Sequence, residues 1–295
     1  MNRALCWLVC ACTAGTTFAQ SEPTTASPKT IKVVFWNIQW FPGRGPNPTS
    51  GQESKQIASV HHDIGRIDAD VIGMEEVRDF ANAGLAVQPL QNFKVDVCSN
   101  FPARPDQKFP QQVAIVSRLQ ATSAWSEFWK TDGKVVPPRG FAFAAYDIAP
   151  KQLLLVYALH LKSNRGSLRE NIVMREESIR RLTSHMRAMN EAYGKLGNLV
   201  WIVGGDFNTS PDTPKLATEK TMPALRGEGF SWVWENVPFP KRYTRLPDRR
   251  YPPACDDHIF YRGLSLKEAA VLDTSAQSSD HRAIAATFEF PAASK

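Results

Sequence analysis

The chain has 295 residues, a formal net charge of +6 and a hydrophobic fraction of 43%. This length suits one large domain, and the mild basic excess favours anionic partners without choosing among nucleic acid, phospholipid and small phosphate esters. Beyond the first residues, no stretch reaches the roughly 18 apolar residues of a membrane span, so we expect none.

The first thirty residues read as an export segment. Arg3 precedes an apolar run, and small residues lead up to Ala19, which is typical of a signal peptide over residues 1–19. Residues 20–30 are rich in Pro, Ser and Thr and indicate a flexible leader. We therefore expect a secreted or periplasmic monomer with a mature charge of +5 and one folded domain over residues 31–291. The alternative to a signal peptide is a buried N-terminal helix or strand.

Two of the five cysteines, Cys98 and Cys255, lie outside this signal. In an exported protein an even pair is typical of a disulfide, and two buried thiols are the alternative. Two cysteines are too few for a structural zinc site on their own.

Hydrophobic periodicity predicts buried strands interrupted by amphipathic helices, which indicates two β-sheets packed face to face with helices outside. The longest helix should end at Gly194. In chain order we predict strand 31–36, helix 54–67, strands 71–74, 93–98, 113–116, 141–148 and 153–161, helix 168–193, strand 201–203, a short helix after Pro211, an irregular stretch over 221–254, and strands 258–261, 269–272 and 283–290.

The central strand over 201–203 is followed by a distinctive run. Gly204 and Gly205 are predicted to end the strand and to let the backbone turn. Asp206 and Asn208 are two residues apart, so in extended chain they would point the same way from the open end of a buried strand. Alone, this run could also be a simple turn.

Polar side chains recur at the ends of the predicted strands, where loops on a rigid frame carry function. Oxygen ligands such as Glu76 and Asn37 suit a hard cation like Mg²⁺, and histidines transfer protons near neutral pH. Together these groups would make a water-dependent phosphoester cleavage site. They are Asn37, Glu76, His160, Asp206, Asn208, Asp257, Asp280 and His281.

In order and wording, these segments resemble the signature blocks of the endonuclease/exonuclease/phosphatase superfamily, most closely its deoxyribonuclease I-like secreted nucleases. The resemblance implies a four-layered α/β sandwich, with two mainly antiparallel sheets flanked by helices, and phosphoester hydrolysis dependent on Mg²⁺, with Mn²⁺ or Ca²⁺ as alternatives. The blocks are Trp36-Asn37-Ile38, Glu75-Glu76-Val77-Arg78-Asp79, Leu159-His160, Gly205-Asp206-Phe207-Asn208, Asp257-His258-Ile259 and Ser279-Asp280-His281.

The resemblance also implies a role for each residue. The implied metal ligands are Glu76, Asn37 beside it, and Asp280 at a second metal position. The implied catalytic residues are Asp206 on the attacking water, Asn208 on a phosphoryl oxygen, His281 on the phosphate or water and steadied by Asp257, and His160 on the transition state or leaving group. The implied substrate contacts are Arg78 and Arg139.

Two positions depart from the family pattern. Gln111 stands where an acidic residue would brace His160; it can accept a hydrogen bond but cannot stabilise an imidazolium by charge. Glu75 stands where glutamine is usual. From the change at Gln111 we expect His160 to be a weaker acid–base partner than in that branch, and the substrate to differ.

The substrate is the least determined feature. A basic and aromatic segment precedes Asp257, which suits phosphate contacts and base stacking or is a solvated loop. We expect an endonuclease acting on DNA or RNA, with a lipid or small-phosphoester hydrolase as the alternative and a non-catalytic binding subunit as the third. Trp232 and Trp234 are expected in the core. The segment contains Lys241, Arg242, Tyr243, Arg245, Arg249, Arg250 and Tyr251.

Overall fold

A computed structural model describes residues 30–103, 107–129, 133–249 and 251–291. The predicted signal, all of the predicted leader but its last residue, and Arg250 of the basic segment lie outside the described residues. Among the described residues, no helix is both long and apolar enough to cross a membrane.

The described residues form strands and helices in alternation. They are β1 (Thr30–Phe41), α1 (Ser50–Ile64), β2 (Val71–Val77), α2 (Phe80–Ala86), β3 (Lys94–Cys98), β4 (Gln112–Ser117), β5 (Ala121–Phe128), β6 (Gly140–Ala149), β7 (Gln152–His160), α3 (Leu168–Tyr193), β8 (Asn198–Asp206), a 3₁₀ turn (Pro214–Leu216), α4 (Thr221–Gly227), β9 (Ser231–Trp232), α5 (Phe239–Arg242), β10 (Asp257–Arg262), β11 (Ser265–Val271) and β12 (Ile284–Glu289).

Two six-stranded sheets build the sandwich. One has the strand order β11-β12-β1-β2-β4-β3 and the other β5-β6-β7-β8-β10-β9. Each contains one parallel pair, β1–β2 and β7–β8, and its other pairs are antiparallel. One apolar cluster fills the space between the sheets and reaches α3, and a second lies on the far side of β1 and β2 beneath α1 and α2. The predicted four-layered sandwich is confirmed.

The prediction that two glycines end the central strand is wrong. β8 continues through Gly204 and Gly205 to Asp206, paired with both β7 and β10. A Cβ at Gly204 would lie 2.5 Å from the ring of Phe35, and one at Gly205 would lie 2.1 Å from the carbonyl oxygen of Leu159. The glycines therefore let the sheets and strands approach closely, which is the other common use of glycine inside a strand.

Other boundaries differ for local reasons. α1 begins four residues earlier than predicted, at Ser50, because Thr49 and Gln52 form a capping box. The stretch over 221–254 contains α4, β9 and α5, and the half-buried strand β5 and the short helix α2 were not predicted. α3 has the predicted bounds. Cys98 and Cys255 are free thiols, so the disulfide between them that the sequence suggested is wrong.

The two parallel pairs bring the predicted polar residues to one rim. β1 and β2 end side by side, as do β7 and β8, and β10 starts opposite Asp206 in the ladder. β12 runs antiparallel to β1, so the segment just before Ile284 lies at the same end. Residues scattered through the chain from Asn37 to His281 thus meet at one edge of the sandwich.

Replacing Gly204 with alanine should destabilise the protein by about 1–3 kcal/mol, the usual cost of overpacking a filled core. The ring of Phe35 occupies the space that the new methyl group needs. Urea unfolding measures the effect. Gly51→Ala is the matched control, because its Cβ meets nothing within 4 Å; equal unfolding midpoints for the two variants would show that the sheets do not need this glycine.

Candidate active site

The irregular end of β2 positions the first carboxylate of the site. Glu76 has a φ of 63°, and the pairing of β2 with β4 shifts register between Glu75 and Val77. Such a bulge redirects a side chain out of the strand pattern, at a cost in backbone strain. The Glu76 carboxylate accepts hydrogen bonds from Asn37 Nδ2 (3.2 Å) and from the backbone N–H of Trp40 (3.0 Å).

Asn37 joins the two sheets at the rim. Besides Glu76, its Nδ2 donates to Asp206 Oδ2 at 2.9 Å, so one amide bridges a carboxylate from each sheet. Its Oδ1 accepts the backbone N–H of Gln39 at 2.9 Å. The oxygen expected to bind metal is thus already hydrogen-bonded, and the contacts of Asn37 with the carboxylates run through its nitrogen.

His160 ends β7 between these carboxylates. Its Nε2 lies 3.7 Å from Glu76 Oε1 and 3.6 Å from Asp206 Oδ2. Burial, reinforced by the charges of Arg139 and His281, lowers the pKa of His160 well below its ordinary value, so the ring is neutral at pH 7.

The missing brace of His160 is visible in the structure. Among the described residues, His160 Nδ1 is buried without a hydrogen-bond partner. Gln111 does not reach it: its Oε1 accepts from Arg139 Nη2 at 2.6 Å. With Gln111 in place of an acidic residue, the imidazole of His160 therefore contacts carboxylates of the described residues only on its Nε2 side.

Asp206 ends β8 at the centre of the group. Its Oδ1 accepts the backbone N–H of Asn208 at 2.9 Å in a tight turn. Burial raises the pKa of Asp206 to about 8, with the charge of Asp257 adding to the effect and His281 opposing it. This carboxylate titrates near neutral pH, as a proton acceptor for water should.

Asp257 and His281 form a buried pair beside Asp206. His281 Nδ1 lies 2.8 Å from Asp257 Oδ2, which also accepts from Thr244 Oγ1 at 2.5 Å. Burial alone would lower the pKa of His281, but the charges of Asp257 and Asp206 outweigh it and hold the pKa well above its ordinary value. His281 is therefore an imidazolium, with Nε2 4.0 Å from Asp206 Oδ2.

The site holds more buried carboxylate oxygens than its own residues hydrogen-bond. Among the described residues, both carboxylate oxygens of Glu75 and Oδ1 of Asp257 are buried without a partner. Asp206, Asp257 and His281 offer ligand atoms within 4.8 Å of one another. Orphaned oxygens and clustered carboxylates fit a hard divalent cation, which takes oxygen ligands.

The two arginines expected to bind substrate are engaged inside the protein. Arg139 Nη1 donates to the carbonyl oxygens of His160 (3.3 Å) and Leu161 (3.2 Å). Arg78 Nη2 donates to Glu53 and to the carbonyl oxygen of Pro42, and its guanidinium lies 3.8 Å from the ring centre of Phe109. Arg139 thus fixes the chain next to His160.

A buried arginine that the sequence analysis missed anchors the adjoining loop. Arg175 in α3 is fully buried and donates to both carboxylate oxygens of Glu219 at 2.8 and 2.7 Å. It also donates to Asn164 Oδ1 at 3.0 Å, and Asn164 Nδ2 donates to the carbonyl oxygen of Asn208 at 2.9 Å. Its spacing of four residues before Ile179, on the predicted apolar face, was the available signal.

The remaining candidates lie nearby without joining this group. Asn208 Nδ2 donates to the carbonyl oxygen of Leu161 at 3.2 Å, which ties the turn after β8 to the end of β7. Asp280 is half-buried, and its backbone N–H donates to Gln39 Oε1 at 3.1 Å. Trp232 and Trp234 are buried, as expected.

Replacing Glu75 with glutamine should stabilise the cation-free protein at neutral pH. Burial, with Asp257 and Asp206, raises the pKa of Glu75 well above its ordinary value near 4.5. A raised carboxyl pKa penalises the folded state as pH rises above 4.5, by about 1.4 kcal/mol per pH unit up to the folded pKa. Glutamine does not ionise, so the advantage of Glu75→Gln should grow between pH 5 and 8.

Thermal unfolding in EDTA across that pH range measures this difference. Glu268→Gln, at an exposed position in β11, is the control and should follow the wild type. A Glu75→Gln advantage that is absent, or equal at pH 5 and pH 8, would contradict the interpretation.

The chain was compared with known protein families and solved structures. The model of the Endonuclease/Exonuclease/phosphatase family matches residues 34–281. No curated protein matches the chain by sequence. Similar solved structures are an endonuclease/exonuclease/phosphatase family protein from Bacteroides thetaiotaomicron (16% identity, TM-score 0.62, covering 89% of this chain and 96% of that one), the human nocturnin catalytic domain (16%, 0.67, 89% and 94%) and TDP2 from C. elegans (18%, 0.58, 88% and 75%).

At these identities the structural likeness shows the fold, a deoxyribonuclease I-like sandwich, while the family match covers most of the chain. The chain therefore belongs to the endonuclease/exonuclease/phosphatase family, whose members are metal-dependent phosphoester hydrolases.

Proposed function

We propose that the protein is a secreted or periplasmic, monomeric endonuclease that hydrolyses DNA phosphodiester bonds with the help of Mg²⁺. The observation that carries this proposal is that His160 Nε2 lies within 3.7 Å of carboxylate oxygens of both Glu76 and Asp206, next to the Asp257–His281 pair. These are the groups that phosphoester hydrolysis by water needs: a cation site, a proton acceptor and a cationic donor.

Glu76 would hold the cation, with Asn37 beside it and Asp280 at a second position. A bound divalent cation neutralises phosphate charge and steadies the leaving oxygen. The unpartnered carboxylate oxygens of Glu75 and Asp257 support a positive charge nearby. The oxygen-rich donor set favours Mg²⁺ or Mn²⁺ over softer metals.

The protein's own side chains supply the proton acceptor and the hydrogen-bond donors of the reaction. Asp206 accepts a proton from the attacking water. Asn208 Nδ2 donates one hydrogen to the carbonyl oxygen of Leu161 and would donate its other hydrogen to a phosphoryl oxygen. His281, kept charged by Asp257, donates to the phosphate. His160 is neutral and unbraced, which favours a hydrogen-bonding role at the transition state over proton donation to the leaving group.

The surface favours nucleic acid over lipid. The basic segment before β10 presents Arg249 and half-exposed Tyr251 to solvent. Trp232 and Trp234, which could have served membrane insertion, are buried in the core. An interfacial enzyme needs exposed apolar loops, and this segment presents charges instead.

Purified protein with Mg²⁺ should nick supercoiled plasmid, and EDTA should abolish nicking. Asp206→Asn should lower the rate by about 10²–10⁴-fold, the usual contribution of a general base, because the amide cannot accept the proton. Agarose-gel assays measure the rate, with Asp147→Asn, exposed on β6, as the control.

A folded sample that binds Mg²⁺ but leaves plasmid intact would contradict the endonuclease proposal. If it then turned over sphingomyelin or a small phosphoester, the lipid or small-ester alternative would replace it. Asp206→Asn nicking at the wild-type rate would remove Asp206 from the mechanism.

Asn164→Ala should lower kcat about 10-fold or more with KM little changed. The substitution removes the link from buried Arg175 to the Asn208 turn, so a catalytic amide is misplaced while the substrate surface stays intact. Steady-state kinetics test this, with the neighbouring Ser163→Ala as the control. Equal kcat values for both variants would show that the link does not position the site.

A further inference from the structure

A cavity of about 540 Å³ is lined by Arg165, Asp248, Arg249 and Tyr251. Its size falls within the range of small-ligand pockets. Its lining residues lie on two loops, residues 162–166 and the described residues 246–249 and 251–253. The first loop follows His160 at the end of β7, and the second precedes Asp257 at the start of β10. The attachments of the two loops therefore determine where the cavity lies.

The first loop begins two residues after His160. Asn164 Nδ2 donates to the carbonyl oxygen of Asn208, and Lys162 Nζ and Asn171 Nδ2 donate to that of Arg165 at 3.1 and 3.0 Å. The loop is therefore tied to the site at one end and held at its tip.

The second loop is attached on the other side of the site. The backbone N–H of Leu246 donates to the carbonyl oxygen of Asp280 at 2.8 Å, and Arg245 forms a β-bridge with His281. Asp248 and Tyr251 close the loop tip with two hydrogen bonds, of 3.0 and 2.8 Å. Both walls of the cavity are thus hydrogen-bonded to chain segments at the catalytic rim.

Three charged residues line the cavity: the arginines Arg165 and Arg249, and the acid Asp248. Arg242 and Arg245 of the basic segment pair with Asp212 and Asp256. Arg165 and Arg249 are exposed, and no ion pair between described residues involves either of them. Exposed guanidinium groups without an ion-pair partner among the described residues are suited to binding phosphate oxygens.

A flat aromatic surface lies beside these charges. Tyr251 is 47% exposed, and the guanidinium of Arg245 lies 5.2 Å from its ring centre. The ring is thus backed by a cation, with much of its surface open. Aromatic rings beside a basic groove bind single-stranded nucleic acid by stacking on its bases.

We propose that this cavity is a subsite for one unpaired nucleotide of a polynucleotide strand adjoining the scissile phosphate. Tyr251 stacks on the base, and Arg165 and Arg249 bind the strand's phosphates. The proposal rests on the proposed nuclease function, which it narrows to strands whose nucleotide at that position is unpaired or unpairs on binding. A small phosphoester has no base to stack on Tyr251.

Fluorescence anisotropy with a single-stranded 12-mer in EDTA tests binding without cleavage. Arg165→Ala/Arg249→Ala should bind more weakly, and the slope of log affinity against log salt should shrink by about 1.4, since each single-strand phosphate contact contributes about 0.7. Lys195→Ala removes one charge at the far end of α3, about 40 Å away, and should leave both values unchanged. An unchanged salt slope in the double variant would overturn the subsite.

The aromatic contact has its own pair of variants. Tyr251→Leu should raise the Kd about 5- to 100-fold, the range seen on removing a stacked ring, while Tyr251→Phe keeps the ring and should restore binding. Tyr251→Leu should also lower kcat/KM on the oligonucleotide relative to bis(p-nitrophenyl) phosphate. Wild-type affinity of Tyr251→Leu would overturn the stacking role.

The two proposals fail separately. Oligonucleotide binding with the expected variant effects but no plasmid cleavage would support the subsite and overturn the endonuclease. Plasmid nicking with unchanged binding by every variant would support the endonuclease and overturn the subsite. Binding to phosphatidylserine vesicles through Arg165 and Arg249, without oligonucleotide binding, would also overturn it.

Discussion

Carboxylates buried at one rim of the sandwich are the constraint on which the structure depends. Glu75, Glu76, Asp206 and Asp257 meet there, and a buried charge is unfavourable unless it is hydrogen-bonded or paired. Asn37 accordingly donates to a carboxylate from each sheet, and His281 is held as a cation. The carboxylate oxygens that these contacts leave without a partner among the described residues support the proposed divalent cation at this position.

The fold concentrates charge at this edge because each sheet has one parallel pair, and the ends of those pairs face each other. The close approach of the sheets depends on Gly73 and Gly204, which leave room for the ring of Phe35 between them. Two arginines outside the strands then fix the connecting chain. Arg139, just before β6, donates to the carbonyl oxygens of His160 and Leu161, and Arg175 in α3 holds the loop beyond. Packing at the centre and hydrogen bonding at the rim thus maintain one geometry.

Much of this could be predicted from the sequence, where local pattern is sufficient. α3 has its predicted bounds because apolar spacing and Gly194 are local signals, and strand-end polar residues converge because parallel strands end together. The role of Gly204 could not be predicted, since it depends on Phe35, far away in the chain. The same holds for Asn37, Arg139 and Arg175: their residue types suggest ligands, substrate contacts or surface charge, and only tertiary contacts show them bridging, bracing and anchoring.

The central proposal is that Glu76 binds a divalent cation beside Asp206, the proposed proton acceptor. The most direct measurement is an anomalous difference map from crystals grown with Mn²⁺. The structure predicts a peak within about 2.6 Å of a Glu76 carboxylate oxygen, the reach of a metal–oxygen bond. Saturating Mn²⁺ that binds elsewhere, leaving the space between Glu76, His160 and Asp206 without a peak, would contradict it.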